Sequence, residues 1–300
     1  MPDTQPVTHI FTVDVEEYFQ VGALERVIPR ESWESWPTRA EPALRCLTDV
    51  LARHGVKATC FVLGWFAKRN RALVRALADT GHEIASHGWS HRSLVDLTPA
   101  SLRAELRRSK DLLEDITGQR VLGFRAPNFS LVPGTEWAFD ALLDEGYEYD
   151  SSLFVHRQRR GSGYPGACVR AHEIRRSGGT LFEIPVAVRG WAGVRVPASG
   201  GGYFRHLPYG VTRAAFAAMS RQGAPGVFYI HPWELDVEQP RVRASLLTRL
   251  RHYAGIPHTA SRLDRLLSEF SFTSIARHPS IGAARAAAGT NGLTRSVMAL

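Results

Sequence analysis

The sequence is poor in cysteine and has no long apolar run. Its three cysteines are Cys46, Cys60 and Cys168, an odd number without paired spacing, so we expect reduced thiols rather than disulfides. No stretch approaches the roughly 18 apolar residues of a membrane span, which predicts no integral membrane segment. Residues 1–10 lack a basic region followed by an apolar stretch. We therefore expect no secretory signal and a cytoplasmic protein. The alternative is a cytoplasmic protein attached peripherally to the inner membrane.

Lysine is also scarce, so that nearly all of the 37 basic residues are arginine, and the net charge is +8. The simplest interpretation is a solvated basic surface, and the alternative is attraction to an anionic glycan, lipid or nucleic acid. Because no basic run carries interleaved aromatic residues, we expect no nucleic-acid partner. A chain of 300 residues, 44% of them hydrophobic, is typical of a globular protein with a full core.

Short apolar runs alternate with longer helical patterns in the first half of the chain. "HIFTVDVE" (His9–Glu16) is typical of a strand, and "PALRCLTDVLARHG" (Pro42–Gly55) is typical of an amphipathic helix that ends at a glycine. This alternation with short joins predicts parallel β/α units, arranged as a barrel or as a doubly wound sheet.

The alternation breaks after Leu153. We expect one domain over residues 1–278, with a β-rich insertion over 155–208 and a flexible tail over 279–300. Within that domain, helical patterns return late in the chain at Leu246–Tyr253 and Ser261–Ser268.

Two pairs of polar residues follow predicted strands. Asp14 and Glu16 in "TVDVEEYF" are two apart and share one face of a strand, and His87 and His91 in "GHEIASHGWSHRSL" have the spacing of metal-binding histidines. Taken alone, the Asp14 and Glu16 pair is more simply explained as an acidic strand end. The His87 and His91 pair, taken alone, is more simply explained as two surface histidines. Together, two histidines and one carboxylate make three ligands and leave an open position, as catalytic metal sites do.

Three further candidates follow other strands. They are Arg125 in "GFRAPNFS", Asp150 in "YEYDSS" and His231 in "YIHPWE". The alternative role of Arg125 is an ordinary ion pair, and that of Asp150 is to form a turn. The alternative for His231 is a structural histidine. Because catalytic groups of parallel barrels gather at the carboxyl ends of the strands, we expect these side chains to meet at one rim.

The ordered motifs "TVDVEEYF", "SHGWSH", "RAPNFS", "YDSSL" and "YIHPW" resemble those of polysaccharide deacetylases with the NodB homology domain, carbohydrate esterase family 4. The resemblance covers roughly residues 8 to 235. It implies an α/β fold, a distorted (β/α) barrel of about seven parallel strands with a β-rich insertion. The stretch "GGGYFRHLPYG" (Gly200–Gly210) further resembles the subgroup encoded with exosortase-linked exopolysaccharide loci.

The resemblance assigns roles to the motif residues. Asp14 is similar to the catalytic base, and His87 and His91 match two metal ligands. Val15 stands where the commonest pattern has a second aspartate, so Glu16 becomes the third ligand, with Glu17 as its rival.

The other motif residues are expected to support the base, the acid and the substrate. Arg125 matches the arginine that orients the base, His231 matches the general acid, and Asp150 resembles the residue that steadies this histidine. Asn128 matches the groove wall, and its backbone N–H is the expected oxyanion donor. Four residues are expected to bind substrate: Asn128, Phe129, Trp89 and Trp233.

The function implied is metal-dependent hydrolysis of N-acetyl groups on an exopolysaccharide or on its lipid-linked or oligosaccharide precursor, with release of acetate. The expected ion is Zn²⁺, with Co²⁺, Ni²⁺ and Fe²⁺ as alternatives. Two other functions stay open at this point, a small-molecule amidohydrolase resembling allantoinase and a catalytically silent glycan-binding protein. The sequence leaves the oligomeric state open.

Overall fold

A computed structural model describes residues 7–155, 161–186, 188–191, 194–197, 199–279 and 281 of the chain. Its strands are β1 (His9–Val15), β2 (Thr59–Val62), β3 (Glu83–Ser86), β4 (Gly123–Phe124), β5 (Tyr149–Asp150), β6 (His172–Arg176), β7 (Gly179–Glu183), β8 (Val188–Trp191), β9 (Val194–Pro197), β10 (Val227–Ile230) and β11 (Phe272–Thr273). Its α-helices are α1 (Ala40–Arg53), α2 (Gly64–Arg69), α3 (Arg71–Asp79), α4 (Pro99–Thr117), α5 (Trp137–Asp144), α6 (Gly201–His206), α7 (Tyr209–Arg221), α8 (Leu246–Tyr253) and α9 (Ile256–Glu269).

One sheet organises the molecule, in the strand order β10-β1-β2-β3-β4-β5-β7-β6. Every neighbouring pair from β10 to β7 is parallel, and only β6 runs antiparallel, against β7. The first seven strands of this order therefore form the parallel array that the sequence predicts. Because they are parallel, their carboxyl ends lie along one edge of the sheet.

The helices follow the sequence signals closely. Helix α4 begins with Thr98 and Ser101, whose side chains and backbone N–H groups cap each other, and it ends at Gly118 with φ 68°. Helix α1 buries Leu44, Leu47 and other apolar residues against the core. No helix in the described ranges combines the length and apolar content needed to cross a membrane.

The predicted insertion is partly a component of the sheet. Strands β6 and β7 form a hairpin, and β7 pairs with β5 in the main sheet, whereas β8 and β9 form a separate two-stranded sheet. After this hairpin, Gly200 bridges to Tyr229 of β10 and returns the chain to the main sheet. Most of the predicted tail over 279–300 lies outside the described residues.

Candidate active site

Three side chains at the carboxyl ends of β1 and β3 form a cluster suited to a metal ion. Glu16, His87 and His91 are all buried, and one ligand atom from each lies within 4.8 Å of the others. Glu16 follows the end of β1, and the two histidines follow β3, which lies two strands away. The fold therefore brings together the three residues that the sequence proposes as ligands.

The chemistry of this cluster fits a divalent cation. Glu16 Oε2 is buried and lies 2.7 Å from His91 Nε2, so the carboxylate and this imidazole meet at the centre of the cluster. His87 Nδ1 lies 2.8 Å from the Arg125 carbonyl oxygen, an acceptor, so Nδ1 carries the proton and Nε2 keeps a free lone pair. Two imidazoles and a carboxylate are typical zinc ligands.

The protonation states of His87 and Glu16 also suit metal binding. Burial lowers the pKa of His87 to about 4, so its imidazole is neutral at physiological pH. Burial favours a neutral Glu16, but the nearby His91, with His231 and His87, lowers the Glu16 pKa to about 2. A neutral histidine and an ionised carboxylate are the forms that bind metal.

Asp14 lies beside the cluster and is held by a buried arginine. Arg125 Nη1 donates to Asp14 Oδ1 at 2.8 Å and to Thr12 Oγ1 at 2.8 Å, and Arg125 is fully buried. Its Nε and Nη2 atoms donate to the Ser151 carbonyl and hydroxyl oxygens. Arg125 therefore orients Asp14 with its guanidinium while its own carbonyl fixes the tautomer of His87.

His231 faces both carboxylates from the end of β10. Its Nε2 lies 3.9 Å from Asp14 Oδ2 and 3.7 Å from Glu16 Oε1. Its Nδ1 lies 3.0 Å from Glu234 Oε2, and Glu234 Oε1 accepts a hydrogen bond from Arg205 Nε at 2.6 Å. These contacts connect the buried Arg205 and Glu234 to the half-buried His231.

These contacts set the charge of His231. Burial opposes the charged imidazole, but the hydrogen bond and charge of Glu234, with Glu16 and Asp14, raise the His231 pKa to about 9. Glu234 stays ionised because Arg205 and His231 outweigh its burial and lower its pKa to about 2. Glu234 was absent from the residues proposed from sequence, although its i+3 spacing from His231 in "HPWE" was a usable signal.

The expectation that Asp150 steadies His231 is wrong, because Glu234 contacts His231 Nδ1. Asp150 Oδ1 accepts from Ser152 Oγ at 2.6 Å, and its strand partner is Glu183 of β7. Burial raises the pKa of both Asp150 and Glu183, and the adjacent Asp150 raises the pKa of Glu183 further. Within the described residues, the carboxylate on His231 Nδ1 is Glu234, and Asp150 supports the strand junction behind the site.

The structure also distinguishes Glu16 from Glu17, the other candidate for the carboxylate of the cluster. The carboxylate of Glu17 accepts hydrogen bonds from the Thr38 hydroxyl and from the backbone N–H groups of Arg39 and Ala40. These donors stand at the start of α1, so Glu17 caps that helix. Glu16 is the carboxylate that faces the histidine pair.

A cavity of about 540 Å³ opens over these groups. Its lining includes Asp14, Glu16, His87, His91, Asn128, Phe129, Tyr203, Tyr229, His231 and Trp233. The described chain has three non-glycine residues with positive φ, namely His91 (54°), Asn128 (59°) and Phe129 (50°), and all three line this cavity. Backbone strain of this kind is concentrated at functional sites.

Of the aromatic residues proposed to bind substrate, Phe129 and Trp233 line the cavity and Trp89 does not. Trp89 packs against Gly64, where an added Cβ would lie 2.6 Å from the indole, and the Arg108 guanidinium stacks 3.5 Å from its ring centroid. Its expected role in substrate binding is therefore corrected to packing. Trp233 stacks on His231 with ring centroids 5.2 Å apart and is nearly buried.

Comparison with protein families matches residues 37–139 to the polysaccharide deacetylase domain, and this stretch contains His87 and His91. Residues 151–279 match a domain of unknown function, DUF3473. The peptidoglycan-N-acetylglucosamine deacetylase PgdA of Listeria monocytogenes is 28% identical over 138 residues, which are 43% of this chain and 29% of that protein. The resemblance to polysaccharide deacetylases that the motifs indicate is therefore confirmed over residues 37–139.

Solved structures show a similar fold over most of the chain. A protein assigned as a polysaccharide deacetylase from Mycobacterium smegmatis superposes with a TM-score of 0.64 at 22% identity, covering 99% of this chain and 98% of that one. The allantoinase PuuE superposes with a TM-score of 0.56 at 15% identity, covering 90% and 85%. The prediction of a distorted (β/α) barrel is confirmed, whereas the exosortase-linked subgroup stays a prediction.

Proposed function

We propose that this polysaccharide deacetylase hydrolyses N-acetyl groups of an exopolysaccharide, or of its lipid-linked or oligosaccharide precursor, with the help of a divalent ion. The observation that carries the proposal is the convergence of Glu16, His87 and His91 on one point, with Asp14 and His231 beside it. The Listeria relative acts on N-acetylglucosamine units, which supports an acetamido sugar as the substrate class.

Glu16, His87 and His91 would hold the ion, with Zn²⁺ first and Co²⁺, Ni²⁺ or Fe²⁺ as alternatives. When bound, such an ion polarises the acetyl carbonyl and lowers the pKa of water. Asp14 takes the proton of the attacking water, because Arg125 fixes its carboxylate beside the cluster.

His231 supplies the proton that the leaving amine needs. With a pKa of about 9, it is an imidazolium at neutral pH and can donate from Nε2, the nitrogen that faces Asp14 and Glu16. Its other nitrogen is bound by Glu234, which acts through His231 as a positioning residue. The products are acetate and a sugar with a free amine.

The backbone N–H of Asn128 is the proposed donor to the developing oxyanion. Asn128 lines the cavity in a left-handed conformation, and within the described residues its N–H forms no hydrogen bond. Removing one such donor from an oxyanion site costs roughly 10²–10³-fold in rate in well-studied hydrolases.

The cavity agrees with a sugar substrate in size and lining. A volume of about 540 Å³ lies within the usual range of ligand pockets, and Phe129, Tyr203 and Tyr229 contribute aromatic rings to its wall. A small-molecule amidohydrolase is the second candidate, because the allantoinase fold is shared. Screening acetylated glycans against ureides distinguishes the two.

The decisive experiment measures acetate release from N-acetylated oligosaccharides by purified protein loaded with Zn²⁺, Co²⁺ or Ni²⁺. We expect release with at least one ion, and a loss of about 10²–10⁴-fold in Asp14→Asn with the metal content unchanged. Glu16→Gln should lose the metal, whereas its neighbour Glu17→Gln, a matched control, should keep it. Full metal loss in Asp14→Asn, or no acetate release from any acetylated glycan, would contradict the proposal.

We place this activity in the cytoplasm. The support is that Cys46, Cys60 and Cys168 are all free thiols, as is typical of a reducing compartment. Cell fractionation tests the location, and recovery of the protein in a periplasmic fraction would contradict it.

A further inference from the structure

Helix α8 carries an exposed apolar face. Leu246, Leu247 and Leu250 are 71%, 59% and 54% exposed, and they are the most exposed leucines among the described residues. At 100° per residue, their side chains span about 100° of the helix circumference and so form a single face. The opposite side of the helix buries His252, so the leucines face solvent while the helix stays anchored.

Basic residues surround this apolar face. The segment 241–251 contains four arginines, Arg241, Arg243, Arg249 and Arg251, and no acidic residue. None of the four forms an ion pair within the part of the chain that the structure describes, whereas many arginines elsewhere pair with carboxylates. The exposed leucines together with these unpaired arginines are called the α8 surface below.

The α8 surface is joined to the rim of the active-site cavity. Arg251 and His252, at the end of α8, line that cavity. Arg205 binds the carbonyl oxygens of Arg251, His252 and Ala254 while its Nε binds Glu234. A ligand on the α8 surface would therefore stand directly beside the cavity mouth.

We propose that the α8 surface binds an anionic lipid bilayer. Leucines on one face of a short helix enter the headgroup region, and flanking arginines are attracted to acidic lipids. A second copy of the chain is a poorer occupant, because a symmetric contact would bring two sets of four arginines together. The proposal gives a physical role to a segment inside the match to the domain of unknown function.

Membrane binding would present the cavity mouth to glycans attached to lipid carriers. This consequence rests on the proposed deacetylase function. If it holds, the lipid-linked precursor is the natural substrate among the proposed glycans. The binding itself does not depend on the chemistry, so the two are tested separately.

The test is co-sedimentation of the full chain with vesicles of phosphatidylcholine alone or mixed with phosphatidylglycerol at roughly 3:1. We expect binding to the anionic vesicles only, weakened by salt because surface charges are screened. The triple variant Leu246→Gln, Leu247→Gln, Leu250→Gln and the double variant Arg243→Gln, Arg249→Gln should each lose about tenfold or more in partitioning.

Matched controls are Val169→Gln and the double variant Arg26→Gln, Arg221→Gln, which change exposed residues on other elements. Thermal melting confirms that each variant folds, and acetate release from a soluble oligosaccharide should be equal in all of them. The proposal is overturned if the wild type ignores anionic vesicles or if the α8 variants bind as well as the controls. It is also overturned if the leucine variant abolishes self-association instead of vesicle binding.

Discussion

His231 owes its charge mainly to Glu234. Burial alone would lower the His231 pKa, but the contact at 3.0 Å between its Nδ1 and Glu234 Oε2 and the charge of Glu234, with Glu16 and Asp14, raise it to about 9. A general acid acts in its protonated form, so activity is present below this pKa and is lost as pH rises through it.

Glu234→Gln should therefore move the alkaline limb of the pH–kcat profile to lower pH. The substitution removes the negative charge that stabilises the imidazolium, so the His231 pKa falls toward its ordinary value of about 6.5. Activity near pH 8.5 should fall by roughly tenfold or more, while activity near pH 6 is less affected.

Glu25→Gln is the control for this experiment, because it also removes a carboxylate from the cavity wall but leaves the partner of His231 intact. Glu234→Asp should restore part of the alkaline activity. An alkaline limb that stays in place in Glu234→Gln would show that Glu234 does not set the charge of the acid.

Sequence motifs predicted the candidate metal cluster, missed Glu234 although it lies only three residues from His231, and failed where a partner comes from a distant strand. The proposed ligands Glu16, His87 and His91 follow their own strands, so strand ends were sufficient to place them at one edge of the sheet. Asp150 was misassigned because its neighbour Glu183 reaches it only through the register of β5 and β7. That register depends on tertiary pairing, which a single sequence does not encode in its local pattern.

Elements with strong periodicity were predicted more completely than irregular connections. The helix predicted at Leu246–Tyr253 is α8, and the pattern at Ser261–Ser268 lies within α9. The span 155–208 was predicted as an insertion, yet β7 lies inside the main sheet. Short strands after a break in alternation resemble an insertion locally, and only their pairing partners distinguish the two.

Gly200 is required where the chain returns to β10. Its φ is 142°, the Ser199 carbonyl accepts from Tyr229 N–H at 2.9 Å, and a Cβ at Gly200 would overlap the Tyr229 carbonyl oxygen. Gly200→Ala should therefore lower the free energy of unfolding by roughly 2–4 kcal/mol, measured by urea denaturation.

The control is Gly210→Ala in α7, where an added Cβ meets no atom within 4 Å. This change should leave the free energy of unfolding within about 0.5 kcal/mol of the wild type, or slightly higher. Equal stability of the two variants would show that the backbone at residues 199–200 does not pack closely against Tyr229 of β10.

At the scale of the whole molecule, buried histidines control the pH dependence of stability. Burial lowers the pKa of His9, His82 and His87 to about 4 and that of His252 to about 3. Histidines in the unfolded chain titrate near 6.5, so between about pH 4 and 6.5 the unfolded chain binds more protons than the folded one. Stability must fall as the pH falls through this window.

Other groups modify this trend without reversing it between about pH 7.5 and 5.5. Glu17, Asp150 and Glu183 act in the opposite sense, because their raised pKa lets the folded chain bind these protons at a higher pH than the unfolded chain does. His231 keeps its proton in the folded state, so its contribution is complete below about pH 6.5 and is lost as pH rises through about 9.

The melting temperature of metal-free protein should accordingly drop by several degrees between about pH 7.5 and 5.5, because seven histidines with a lowered pKa outweigh three carboxyl groups with a raised pKa. Circular dichroism with a chelator present measures this change. A melting temperature that is constant or rises on acidification would mean that these histidines are protonated in the folded protein.

If residues from two strand ends hold one divalent ion, an anomalous-scattering map of a crystal grown with Zn²⁺ should locate it. We expect a single strong peak at about 2.0–2.2 Å from a Glu16 carboxylate oxygen, His87 Nε2 and a ring nitrogen of His91. An empty site at these three residues, with zinc bound elsewhere on the protein, would contradict it.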